Sequence, residues 1–129
     1  MIRFYQELLD FCKLKNIKFQ GHTCLGGAYC DILLGHPCVK KGIATKLVVT
    51  PADVLFKYAM KKVGHVIIKS ATPARVNNAV EKLNDKGFNM GGEDMKRLSG
   101  LADNVNLTNF KDTTILLSWL KEYSPSVYD

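Results

Sequence analysis

No stretch of the 129-residue chain approaches the unbroken apolar length a membrane span needs. The best candidate, Ile115-Leu116-Leu117-Ser118-Trp119-Leu120, is far too short, so no membrane partner is expected. Nor do the first residues carry the long apolar core of a secretory leader. Without one, Cys12, Cys24, Cys30 and Cys38 are expected to be reduced thiols in a cytoplasmic chain. Paired metal-ligand spacing is missing too: His22-x-Cys24, Cys30 and His36-x-Cys38 fit no usual zinc finger or ribbon, so no metal is expected. There is no internal repeat, no low-complexity segment and no clear linker. A net charge of +6 permits contact with anions. The lysines are nevertheless scattered along helical faces, without a basic stripe, an aromatic stacking platform or a recognisable motif, which argues against nucleic acid as the partner.

What is there centres on residues 65–75, His-Val-Ile-Ile-Lys-Ser-Ala-Thr-Pro-Ala-Arg. An apolar run without alternation reads as a strand buried on both faces, the habit of parallel strands. Thr72-Pro73 then reads as N-cap and first helical position, because the hydroxyl can accept from an open helix amide and proline loses no needed donor there. The turn thus presents Lys69, Ser70, Thr72 and Arg75 beside open backbone amides. Two cations, two hydroxyls and a helix N-terminus suit a phosphate. A solvated strand end with a routine cap is the alternative that spacing alone leaves open.

Around that turn the pattern predicts a helix over about residues 3–14, with Phe4, Leu8, Leu9, Phe11 and Cys12 inward, and then a short strand at 17–20. Gly26-Gly27 follow in a loop that allows tight backbone approach. Residues 28–49 are less regular: Tyr29 to Leu34 is apolar, His36-Pro37 breaks it, and 39–47 suits one or two helical turns. Thr50-Pro51-Ala52-Asp53 is a helix start with a capping hydroxyl, a first-turn proline and an acid favoured by the dipole. Val54, Leu55, Tyr58 and Ala59 form the stripe of that helix, and Gly64 ends it. The next helix, about 73–86, turns Val76, Ala79, Val80 and Leu83 inward. A last one, about 92–101, carries Met95, Leu98 and Leu101 on one side. Strand, helix, strand, helix with short connections means α/β with parallel strands.

These residues also carry a resemblance. Ile67-Ile68-Lys69-Ser70 with Arg75 resembles the last barrel strand of the aldo-keto reductases, where Lys-Ser-x-Thr-Pro-x-Arg grips the 2′-phosphate of NADPH. Glu7 to Lys13 with Asn16-Ile17 resembles that family's helix before its seventh strand. Gly21 to Gly26 is similar to its Ala-Tyr-Ser-x-Leu-Gly segment, Thr50 to Leu55 to its Thr-Pro-Ala-x-Val-Leu helix start, and Glu93-Asp94-Met95 to its late Glu-Asp-Met helix. Order and spacing agree from about residue 5 to residue 104.

The resemblance implies a partial TIM-type (β/α) barrel, its last two parallel strands with their helices. Residues 1–129 would form a single domain, with barrel elements over 1–104 and a C-terminal tail over 105–129. A whole barrel needs about 250 residues, more than the chain has. It also implies NADP as ligand: Lys69, Ser70, Thr72 and Arg75 on the 2′-phosphate, Thr23 and Leu25 along the pyrophosphate. His22 stands in place of the family's nicotinamide-stacking Tyr. Asn78-Ala79 stands in place of the Glu-Asn pair that reads adenine, so Asn78 alone retains that reach. Ile68 replaces the proline common before the Lys. The phosphate clamp is thus kept while the base and nicotinamide contacts are weakened. The family's catalytic Tyr, Lys, Asp and His come from its first four strands, and Tyr5, Tyr29 and Tyr58 are not in matching contexts. No catalytic residue is therefore assigned, and the expectation is an aldo-keto reductase-like chain inactive alone. The alternative is a non-enzymatic interaction protein, in which a protein partner or self-association covers the exposed barrel edges.

Overall fold

The computed structural model of the chain describes residues 6–27 and 30–104. Phe4, Tyr5, Tyr29, Trp119 and the 105–129 segment therefore lie outside the described residues.

The elements run α1 (Gln6–Leu14), β1 (Gln20–Gly21), α2 (Cys30–Gly35), a π-helical segment (Cys38–Ala44) continuing into α3 (Thr45–Leu47), α4 (Pro51–Val63), β2 (His65–Val66), α5 (Pro73–Asn84) and α6 (Gly92–Asn104). β1 and β2 pair in parallel, Gln20 opposite His65 and Gly21 opposite Val66. The ladder ends with the Ile67 amide donating to the Gly21 carbonyl at 2.8 Å. The strands are shorter than the patterns at 17–20 and 65–70 predict. After Gly21 the first strand leaves the sheet direction, and Thr23 already sits in the left-handed region at φ 55°.

α4 organises the molecule. It starts on the predicted capping hydroxyl, and Asp53, read only as an acid favoured by the dipole, completes a reciprocal cap: the Asp53 amide donates to Thr50 Oγ1 at 3.2 Å, while the Thr50 amide and hydroxyl donate to Asp53 Oδ2 at 2.9 and 2.6 Å. Two orphan amides at the helix start are thereby satisfied reciprocally. Gly64 ends the helix at φ 86°, a conformation that costs a residue without a Cβ little. One side of α4 puts Val54, Leu55 and Tyr58 into a core with Leu33, Val39, Ile43, Phe88, Met90, Leu98 and Leu101. The other side puts Phe56 and Ala59 into a second core with Cys24, Ala79 and Leu83. A helix buried on two sides needs apolar residues nearly all round, which is why its burial exceeds the single stripe read from periodicity. Lys57 is buried with it, its charge met by the Leu83 carbonyl at 3.0 Å and the Phe88 ring at 5.2 Å.

Three expectations are corrected. Residues 65–70 are not buried on both faces: Val66 and Ile68 pack on the second core, whereas His65, Ile67 and Lys69 are exposed. Among the described residues the sheet has no layer on its other side to cover Ile67. On α1, Leu9 and Cys12 are buried but Leu8 and Phe11 are about half exposed, because one side only of the helix meets the body. On α5, Val80 is likewise exposed, while Ala79 and Leu83 reach the core as predicted.

Candidate functional site

In a parallel pair both strands end at the same edge, and there the chain brings two loops side by side. One is His22-Thr23 after β1; the other is Ile67 to Thr72 after β2, leading into α5. Their adjacency follows from the Ile67 to Gly21 hydrogen bond, since the residues beyond each partner leave the ladder together. Ligand sites in α/β folds sit at this edge, where helix N-termini and loops are left open.

In the second loop, Ser70 Oγ accepts the Thr72 amide at 3.1 Å and turns the chain toward the helix. The Thr72 carbonyl accepts the Arg75 amide at 3.0 Å. Thr72 occupies the N-cap position but makes no side-chain cap, which corrects the expected role of its hydroxyl. Thr50 caps α4 because Asp53, at the third helical position, reciprocates; the corresponding position after Thr72 is Arg75, which has no acceptor to offer. Lys69, Thr72 and Arg75 are exposed to solvent and Ser70 is half-buried.

The first loop is tightly made. Thr23 Oγ1 and His22 Nδ1 are 2.8 Å apart, and the Thr23 carbonyl accepts the Gly26 amide at 2.9 Å. Thr23 at φ 55° is a β-branched residue in a region such residues rarely enter, and Gly26 and Gly27 follow at φ 93° and 58°. His22 and Thr23 are exposed. Leu25, by contrast, packs against both cores and anchors the loop.

Asn78 lies on α5 and its amide nitrogen donates to Asp53 Oδ1 at 3.4 Å, which ties α5 to the start of α4. It lines a cleft of about 500 Å³ with Lys40, Val48, Val49, Pro51 and Lys82. Of the residues lining this cleft, the resemblance marks only Asn78 as a ligand contact. Val48 is in the left-handed region at φ 55°, and the preceding π-helical segment has no local signature that would have marked it.

Two groups, Cys24 in the first loop and Tyr58 in the core, have shifted acidities. Burial pushes the Cys24 thiol up, as it does the Tyr58 hydroxyl, where a 3.0 Å hydrogen bond with Ser99 opposes the shift. Both protons are held more tightly in the folded chain, so unfolding at alkaline pH releases them. Stability is then full below 9.0, the ordinary thiol value, and declines as the pH rises through the raised one, with Tyr58 adding to the decline above 10.0. Denaturant midpoints measured across that range should fall with pH, and Cys24→Ala should flatten the first part of the fall. Among the described residues no group of three or more potential metal ligands is present, and no helix is long and apolar enough to cross a membrane.

No family model matches the chain, and no solved structure matches it. Curated proteins do. A D-galacturonate reductase of Hypocrea jecorina is 34% identical over 100 residues, which cover 78% of the chain and 30% of that protein. An aldose reductase B of Dictyostelium discoideum is 33% identical over 99 residues, covering 77% and 30%. The aldo-keto reductase family 1 member C3 of Homo sapiens is 32% identical over 111 residues, covering 80% and 33%. The chain thus spans about a third of the length of the curated relatives it matches.

Proposed function

We propose that this chain, which belongs to the aldo-keto reductase family, contributes the phosphate-gripping part of an NADP(H) site in a barrel-type oxidoreductase. The observation that carries the reading is the turn after β2. Lys69, Ser70, Thr72 and Arg75 leave the end of a parallel strand together and stand at the N-terminus of a twelve-residue helix. Lys69 supplies a point charge and Arg75 a planar fork of donors, complementary to a dianionic phosphate. The hydrogen bond from the Thr72 amide to Ser70 fixes the backbone between them. His22 and Thr23, across the strand edge, lie along the pyrophosphate and toward the nicotinamide; Asn78 and the cleft beside it take the adenosine end. The two strands and their helices are then part of a (β/α) barrel, and residues 1–129 one domain of that architecture.

No proton donor for carbonyl reduction is assigned. Tyr58, 3% exposed and hydrogen-bonded to Ser99, is a core residue rather than an acid facing substrate. The chain by itself binds cofactor without reducing a carbonyl. Calorimetric titration with NADPH and NADH tests the binding claim: NADPH should bind detectably tighter, and equal affinities would remove the 2′-phosphate from the account.

A second reading, association through the barrel edge, is favoured by one observation. Leu8, Phe11, Leu14, Ile17 and Ile67 are all 45% or more exposed, on α1, on the segment before β1 and on the segment after β2. An apolar surface of this kind is a contact surface in a stable protein. Sedimentation across a concentration series should show self-association, and Phe11→Glu/Leu14→Glu should abolish it; a monomer at every concentration would count against this reading.

A further inference from the structure

We propose a second anion site, at the pole opposite the Lys69–Arg75 turn, built for a small anion carrying two or more phosphate groups. β1 and β2 begin together there, Gln20 opposite His65, and α1 and α4 both end there. Between them lies a cavity of about 310 Å³ lined by Lys13, Lys18, Lys61, Lys62 and His65 over an apolar floor that includes Leu9 and Val63. No aspartate or glutamate is among its lining residues. The basic groups come from four places: α1, the extended segment before β1, the last turn of α4 and the first residue of β2. Their convergence is therefore a product of the tertiary fold rather than of one helix's periodicity.

Lysines in a last helical turn complement the helix dipole, and that explains the sign of Lys13, Lys61 and Lys62. It does not explain Lys18 or His65, which belong to no helix and face the same space. Lys61 is already placed, donating to Asn89 Oδ1 at 2.8 Å and the Met90 carbonyl at 3.0 Å. Lys62 rests 5.8 Å from the Tyr58 ring centre. Lys13, Lys18, Lys62 and His65 then remain as the donors for a ligand. Four ammonium groups line one cavity with no carboxylate among them. An anion with several negative charges can meet several of them at once, whereas a single carboxylate would not.

The site is separate from the nucleotide clamp. His65 and Lys69 are four residues apart along extended chain, about 13 Å. A phosphate held at Lys69 does not reach the cavity.

Inorganic tripolyphosphate is the probe, titrated into the full chain by calorimetry, with amide shifts recorded in parallel. Saturable binding is expected, with shifts at residues 12–19 and 61–65 distinct from any at the Lys69–Arg75 turn. Lys13→Gln/Lys18→Gln, at two exposed positions, should weaken it roughly tenfold or more. Lys69→Ala/Arg75→Ala should leave the shifts at residues 12–19 and 61–65 unchanged. Should the first pair perturb folding, Lys62→Gln and the wild-type amide shifts locate the site independently. Absence of saturable binding, shifts confined to residues 69–75, or loss of binding only in Lys69→Ala/Arg75→Ala would each overturn the proposal.

Discussion

Leu98→Ala should lower the free energy of unfolding by about 3–5 kcal/mol, near the top of the range for buried leucines. Leu98 is 0% exposed and sits where α6 meets α4 and the π-helical segment, among Val39, Ile43, Leu55 and Met90. Truncation removes the apolar contacts of the side chain and leaves a cavity that neighbours from several elements cannot jointly close. Besides Leu98, α6 is held by the Tyr58–Ser99 hydrogen bond at 3.0 Å and by Met95 against the core. Leu101 packs beside Leu98, and Lys46 bridges Asp94 at 3.0 Å, an ion pair whose lysine is largely in solvent and adds little. Domains of this size have only about 5–15 kcal/mol of stability, so the variant should be partly unfolded at physiological temperature. Urea denaturation followed by circular dichroism measures the loss, with Val80→Ala as the exposed control. A loss below about 1 kcal/mol for Leu98→Ala would mean that α6 is not held where the core places it.

The second large effect concerns the ligand. Lys69→Ala/Arg75→Ala should weaken NADPH binding about 100-fold while changing NADH binding little, because each charge-assisted contact to a phosphate is worth about 1.5–3 kcal/mol and both side chains stand in solvent, at the low end. Arg75→Lys should fall between, since an ammonium keeps the charge and loses the two-pronged geometry. Fluorescence of bound NADPH reports the affinity, and the denaturation midpoint should not move, because neither side chain is buried. Equal losses for NADPH and NADH would show that the pair supports the loop rather than the 2′-phosphate.

Local chemistry was the legible part of this sequence. Thr50-Pro51-x-Asp53 starts the helix with the capping hydroxyl it predicts, Gly64 ends α4, and Leu98 and Leu101 face the core, because each signal acts within one or two turns of chain. Thr72-Pro73 spells a similar start and behaves differently. Ser70 takes the Thr72 amide, and Arg75 cannot reciprocate as Asp53 does. The errors at Ile67, Leu8, Phe11 and Val80 share a cause: periodicity says that a residue is apolar, and only the tertiary arrangement says whether a second layer covers it. The two-sided burial of α4 is the converse case, where neighbours on both sides bury Phe56 and Lys57 beyond the predicted stripe. At the candidate site, the grouping of Lys69, Ser70, Thr72 and Arg75 could be read in advance because they are close in sequence. The cleft beside Asn78 and the basic cavity at the far pole join residues from distant segments, and no local pattern marks such a meeting.

The most direct test is a crystal structure of the chain bound to NADP⁺. The 2′-phosphate should lie within hydrogen-bond distance of the Lys69 ammonium and the Arg75 guanidinium, over the first turn of α5, with the pyrophosphate running toward Thr23. A nucleotide lodged elsewhere, or one whose 2′-phosphate points into solvent away from both cations, would contradict this placement.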